Sequence, residues 1–171
     1  MVLCQDEFSL SNTATLSATL SLKWKQPGIS CKQSKKECKT GFGTVNPITE
    51  QLVVIFANVE NSDTFKKHLK NVQYAYKDKQ RIILYVANVR FHHSKKIKSF
   101  LKSYPQVEMR YLPAYSPDLN PVERVWWYSG STLHITGIWK LFKERIAKFW
   151  RLMSKCLKPN MLLKNICVVK L

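Results

Sequence analysis

The run from Arg81 to Val89, RIILYVANV, is almost unbroken in its apolar, β-branched and aromatic character and stands between two lysine-rich segments. A strand this hydrophobic is typical of the centre of a sheet, with helices covering both faces. The flanking segments supply such helices. After Ser62-Asp63, read as a cap, Phe65, Leu69, Val72 and Tyr76 recur at helical spacing while Lys66, Lys67 and Lys70 point outward. After Ser94, a second cap, Ile97, Phe100, Leu101 and Tyr104 form the inner stripe and Lys95, Lys96, Lys98 and Lys102 the outer one, until Pro105 stops the helix.

The other strands are shorter signals. Val2 to Leu10 reads as a strand with Asp6 and Glu7 at its exit, and Leu20 to Lys25 alternates as a second strand ending at Pro27-Gly28. Ser30 to Lys39 reads as a basic loop. Gly41 to Val45 and Gln51 to Val59 pair as a hairpin across Asn46-Pro47-Ile48-Thr49-Glu50, and Gln106 to Leu112 is the last strand. A meander followed by β-α-β-α-β predicts an α/β fold: a mixed sheet with flanking helices, whose ligands gather beyond the carboxyl ends of its strands. Three such ends carry chemistry: Asp6, the pair Ala87-Asn88, and the turn leading to Glu123.

That turn, YLPAYSPDLNPVERVWWY from Tyr111 to Tyr128, enters a helix with Asn120 as N-cap, Pro121 at the first helical position and Glu123 at the third. Spacing alone makes Glu123 the acidic half of a capping box. Beyond it, residues 129–137 show no helical period and read as an irregular linker. A basic amphipathic helix follows over 138–157, with Leu141, Phe142, Ile146, Phe149 and Met153 inside and Lys140, Lys143, Arg145, Lys148 and Arg151 outside. Residues 158–171 form a tail without turn chemistry. Trp126, Trp127, Trp139 and Trp150 are read first as core packing and second as stacking platforms.

Charge selects the partner. Against 28 Lys and Arg there are 11 Asp and Glu, a net +17, and residues 124–171 hold ten basic residues and one acid. So basic a chain repels itself unless it meets a polyanion, which makes nucleic acid the first partner to consider and an anionic membrane surface the second. No apolar run reaches spanning length and no signal peptide opens the chain, so no membrane association is expected and the location is cytoplasmic, associated with the nucleoid. Five cysteines without a C-x-x-C pair read as reduced thiols.

Taken together, QDEFSL, RIILYVANVRFHHSKKIKSFL, RYLPAYSPDLNPVERVWWY and the FGTVNPIT hairpin resemble the catalytic domain of DDE-superfamily transposases, specifically the bacterial insertion-sequence relatives of the mariner group, over residues 1–128. The resemblance implies an RNase H-like fold and DNA strand cleavage and transfer. It implies three carboxylates holding two divalent cations, Mg2+ or Mn2+. Asp6 matches the first acid and Glu123 the third. Arg90, His92, Lys95, Lys96, Arg124, Lys140, Lys143 and Lys148 become candidates to meet DNA, His92 and His93 alternatively to orient Asn88. The family also implies a helix-turn-helix region ahead of the first acid. This chain starts a few residues before that acid, so sequence-specific docking is expected to be largely missing.

The second acid is absent: the matching position is Ala87, whose side chain has no oxygen to offer. Asn88, expected on the opposite side of the strand, and Asp118, in a Pro-bounded turn, are poor substitutes. The expectation is a truncated transposase remnant, inactive or severely impaired. Its alternative is a non-catalytic nucleic-acid-binding protein that forms homo-oligomers, or mixed oligomers with an intact transposase, and inhibits it. A frameshift is one source for 129–137, and a decayed frame without function is the third reading.

Overall fold

A computed structural model describes residues 1–11, 37–49, 51–113, 116–135, 142–154 and 156. The strand expected over Leu20–Lys25, Lys140, Trp139 and the tail lie outside the described residues. The described strands are β1 Val2–Ser11, β2 Cys38–Val45, β3 Leu52–Ala57, β4 Ile82–Val86 and β5 Val107–Tyr111. The described α-helices are α1 Ser62–Ala75, α2 Lys95–Ser103, α3 Pro121–Ile135 and α4 Phe142–Ser154, with short 3-10 turns at Arg90–His93 and Pro117–Leu119. The sheet runs β3-β2-β1-β4-β5. The first three strands form an antiparallel meander, and β4 and β5 join in parallel through α1 and α2.

Alternation along the strands sorts the core into two layers. Leu3, Phe42, Ile82, Leu84, Val86 and Val107 pack with Phe65, Leu69, Ile97 and Phe100 of α1 and α2. On the opposite face Cys4, Leu10, Val45, Leu52 and Val54 pack with Val122, Val125 and Trp126 of α3 and Phe149 and Met153 of α4. Because α3 and α4 sit over β1 to β3, β4 is not covered on both faces: Tyr85 is 36% exposed.

Local chemistry accounts for the joints. Asn46 Oδ1 accepts from the amides of Ile48 and Thr49, closing the β2–β3 turn. Helix α1 is capped by Asn61, one residue before the expected Ser62-Asp63. Asn61 Oδ1 accepts from the amides of Asp63 and Thr64, and Thr64 Oγ1 accepts from Asn61 N. Ser94 caps α2 as expected, accepting from Ile97 N.

Four further expectations are corrected. β2 starts at Cys38, taking the end of the predicted basic loop into the sheet. Helix α3 continues through Ile135, so most of the expected linker is helical; Ser129, Ser131 and Thr132 donate back to carbonyls three or four residues earlier. Arg145 is buried and donates to the carbonyl of Ser11 rather than facing solvent. Trp127 is exposed rather than packed. No disulfide joins the described cysteines Cys4, Cys38 and Cys156, and no described helix is long and apolar enough to cross a membrane.

Candidate active site

Adjacent residues of a strand point to opposite faces, and β1 uses this to separate its two acids. Asp6 shares the face of Cys4 and Phe8; Glu7 shares that of Leu3 and Gln5. Asp6 is therefore not at the exit of its strand as expected but in the middle of it, paired with Gly43 of β2. On its other side the pairing with β4 stops at Cys4 and Tyr85, so two residues further along each strand Asp6 stands level with Ala87. The acid sits where the parallel neighbour ends, and a cleft opens there.

Ala87, Asn88 and Val89 form one wall of that cleft, Leu112 and Pro113 a second, and Ser116, Pro117, Asn120 and Glu123 a third, around a volume of about 390 Å³. The floor includes Asp6. Asn120 ties helix to sheet: its Nδ2 donates to the carbonyl of Gln5 at 3.0 Å while its Oδ1 accepts from Val122 N at 3.3 Å. Glu123 does not close a capping box, because the Asn120 amide donates to the carbonyl of Pro117 at 2.8 Å. Its exposed carboxylate faces the cleft instead.

Burial pushes the Asp6 carboxyl up, and the nearby charges of Glu123 and Glu7 push it further, to about 8. The nearby Trp126 indole opposes this weakly; its buried N–H makes no hydrogen bond that meets ordinary geometry. Room for that ring comes from Gly43, where a Cβ would overlap it. Trp126 in turn stacks on Phe8 with ring centroids 4.1 Å apart.

The chain beyond β4 is wound around one atom. The carbonyl oxygen of Ala87 accepts from Val89 N at 2.9 Å and from His92 Nδ1 at 2.7 Å. Both of its lone pairs are thereby used. His92 Nε2 meets Glu7 Oε1 at 3.0 Å, which also accepts from Gln5 Nε2 at 3.0 Å. His92 is fully buried, so the expectation that it meets DNA is corrected: it braces the loop against β1. His93 is the residue that orients Asn88, at 2.7 Å from its Oδ1, while stacking on Tyr111. Since the chain has left the strand, Asn88 lines the cleft beside Ala87 rather than facing away from it.

Among the other candidates, Arg90, Lys95 and Lys143 are exposed, and Arg124 and Lys148 are half-buried. Lys96 is engaged by both oxygens of Asp63 at 2.7 Å. Asp118 does not line the cleft. Among the described residues no group of three or more His, Cys, Asp or Glu is placed to hold a metal ion. Asn120, Gly43, Trp126 and the Glu7–His92 brace went unread in the sequence as parts of one site. The only signal was negative: a glycine inside a strand, which marks close approach of something bulky.

Residues 1–134 match the model of the DDE superfamily endonuclease family. An insertion element IS630 uncharacterized 39 kDa protein of Shigella sonnei is 30% identical over 106 residues, covering 60% of this chain and 31% of that protein. The Mos1 strand transfer complex matches with a TM-score of 0.71 at 16% identity, over 97% of this chain and 50% of that one. The Mos1 mariner paired end complex with Mn gives 0.72 at 15%, over 97% and 51%. This chain thus spans about a third of the first relative and half of the second. At such identities the structural likeness establishes the fold, which is the RNase H-like mixed sheet with flanking helices. The family match covers most of the chain and the whole of the cleft, and on that ground the chain belongs to the DDE superfamily of endonucleases.

Proposed function

We propose that this chain engages DNA and a single divalent cation through Asp6 and Glu123, and that it is severely impaired in strand cleavage because Ala87 stands where a third carboxylate is needed. One observation carries the reading: residues 6, 87 and 123 line a common cleft, and only two of them bear a carboxylate. The Glu123 carboxylate raises the cost of ionising Asp6, and a hard cation with oxygen preference relieves that cost, so the residues present fit one Mg2+ or Mn2+. They do not fit a pair. Ala87 has no side-chain donor, its carbonyl is already doubly engaged, and the Asn88 oxygen is held by His93. When bound, such a cation polarises a phosphodiester oxygen.

The chain's own residues set the terms of that binding. Asp6 must give up a proton held at neutral pH, Asn120 fixes the Glu123 helix to β1, and Gly43 leaves room for the Trp126 ring against the sheet. Residues that act as a unit fail together, so the Ala87→Asp chain should cleave terminal-repeat DNA on the order of a thousandfold faster in Mg2+ or Mn2+. Equal rates for the two chains would overturn the proposal.

The exposed Arg90, Lys95 and Lys143 favour a second role compatible with lost cleavage: occupying the DNA of an intact relative, or joining it in mixed oligomers. Salt-dependent DNA binding without cleavage, together with suppression of an intact relative's activity, would mark that role.

A further inference from the structure

We propose that Trp127 is a stacking platform for an unpaired nucleobase of the DNA strand whose phosphate enters the cleft; the inference rests on the reading of Asp6 and Glu123 given above. Trp127 is 76% exposed on a helix whose inward face is already filled by Val122, Val125 and Trp126. Folding therefore has no use for its ring. The residue stands four positions after Glu123, so the two share one helical face and are neighbours on it. Side chains on a helix lean towards its N-terminus, which carries the indole back over the turn that bears Glu123.

The next position on this strip adds a second observation. Gly130 lies three residues beyond Trp127, and a Cβ built there meets nothing within 4 Å. A glycine inside a helix costs stability and is ordinarily required by close packing, yet here there is none. Gly130 is half-buried beside a small pocket shared with Arg145 and Phe149, and it leaves the next position of the strip without a side chain beside the exposed ring.

Charge complementarity names the occupant. A chain of net charge +17 attracts a polyanion, and a strand that brings a phosphate to a cation between Asp6 and Glu123 carries its adjoining base past the indole. Stacking on an aromatic face accepts any base and needs the base unpaired, so the site would favour a frayed or overhanging end over a closed duplex.

The test uses the full chain and two labelled DNAs of equal charge, a blunt duplex and one with a short unpaired 3′ end bearing 2-aminopurine. The wild-type chain should bind the unpaired end more tightly and quench the 2-aminopurine. Trp127→Ala should lose that preference by roughly five- to hundredfold and abolish the quenching, with blunt-duplex affinity and thermal melting unchanged, while Trp127→Phe keeps most of both. Wild-type binding of both DNAs without preference, or an unaltered preference in Trp127→Ala, would overturn the stacking site alone. A change in sedimentation of Trp127→Ala without a change in DNA preference would instead make the ring a protein contact and also overturn it. Failure of the wild type to bind either DNA would overturn the parent reading.

Discussion

His92 Nδ1 lies 2.7 Å from the carbonyl oxygen of Ala87, and the other nitrogen of the same buried ring lies 3.0 Å from Glu7. Both ring nitrogens face oxygen atoms, one on the loop after β4 and one on β1. One imidazole thus fixes where the chain beyond β4 presents position 87 to the cleft. His92→Phe keeps the contacts with Phe65 and Phe91 but removes one of the two hydrogen bonds at the Ala87 carbonyl and one of the two at Glu7 Oε1. We expect a loss of about 2 kcal/mol in urea unfolding, the usual consequence of removing one hydrogen-bonding partner of buried polar groups. An unchanged midpoint would show that the brace contributes nothing.

Much of this arrangement was legible in the sequence, and the illegible parts share a cause. Helices α1 and α2 were readable because Phe65, Leu69 and Val72, then Ile97 and Phe100, repeat at helical spacing. The last two turns of α3 were not: Ser129, Gly130, Ser131 and Thr132 are weak helix formers without an apolar stripe, and back-bonded hydroxyls accompany the helix there. Asp6 was read as a strand end because nothing along β1 tells where its neighbour β4 stops. The Glu7–His92 contact joins residues 85 apart, a separation no local pattern encodes. Arg145 was placed outside by its charge, while its partner, the Ser11 carbonyl, is 134 residues away.

Asp6 is a stability liability at neutral pH. Its ordinary pKa is 3.8 and its folded value is raised to about 8. Below the ordinary value both folded and unfolded chains hold the proton and there is no penalty. As pH rises from there, the unfolded chain ionises while the folded chain keeps its proton, so stability contributed by this group is lost progressively up to the folded value. Asp6→Asn removes the titration and should stabilise the cation-free chain by on the order of a few kcal/mol near neutral pH, and by almost nothing near pH 3.5. Thermal melts of the two chains across pH give the difference directly; parallel curves would contradict the assignment.

His68 acts in the opposite window. The ring is fully buried in α1, with Nε2 2.7 Å from Thr44 Oγ1 and Nδ1 unpartnered, and desolvation depresses its pKa from 6.5 to about 3. Its stability contribution is complete above 6.5, where both states are neutral. As pH falls below that value the unfolded chain takes up the proton and the folded chain cannot, costing about 2 kcal/mol by about pH 5. His68→Gln keeps a partner for Thr44 and does not titrate, so its urea midpoint should fall less steeply than the wild type's between pH 6.5 and pH 5. Identical slopes would place the acid sensitivity elsewhere.

Adding one methyl group should have opposite effects at two glycines. At Gly43, opposite Asp6 in the β1–β2 ladder, the new Cβ meets the six-membered ring of Trp126. That ring is already held against Phe8 and cannot retreat without breaking the stack, so Gly43→Ala should cost about 2 to 3 kcal/mol, the range for overpacking a filled core. At Gly130 the methyl meets open space inside a helix, and Gly130→Ala should gain about 0.5 to 1 kcal/mol from propensity alone. Denaturant unfolding of both single variants gives the signs. A third chain, Gly43→Ala with Trp126→Leu, shortens the obstructing ring and should recover part of the Gly43→Ala loss, because contacting substitutions couple rather than add. If the double variant is destabilised by the full sum of the two single losses, the indole does not occupy the space above Gly43, and the floor of the cleft is built some other way.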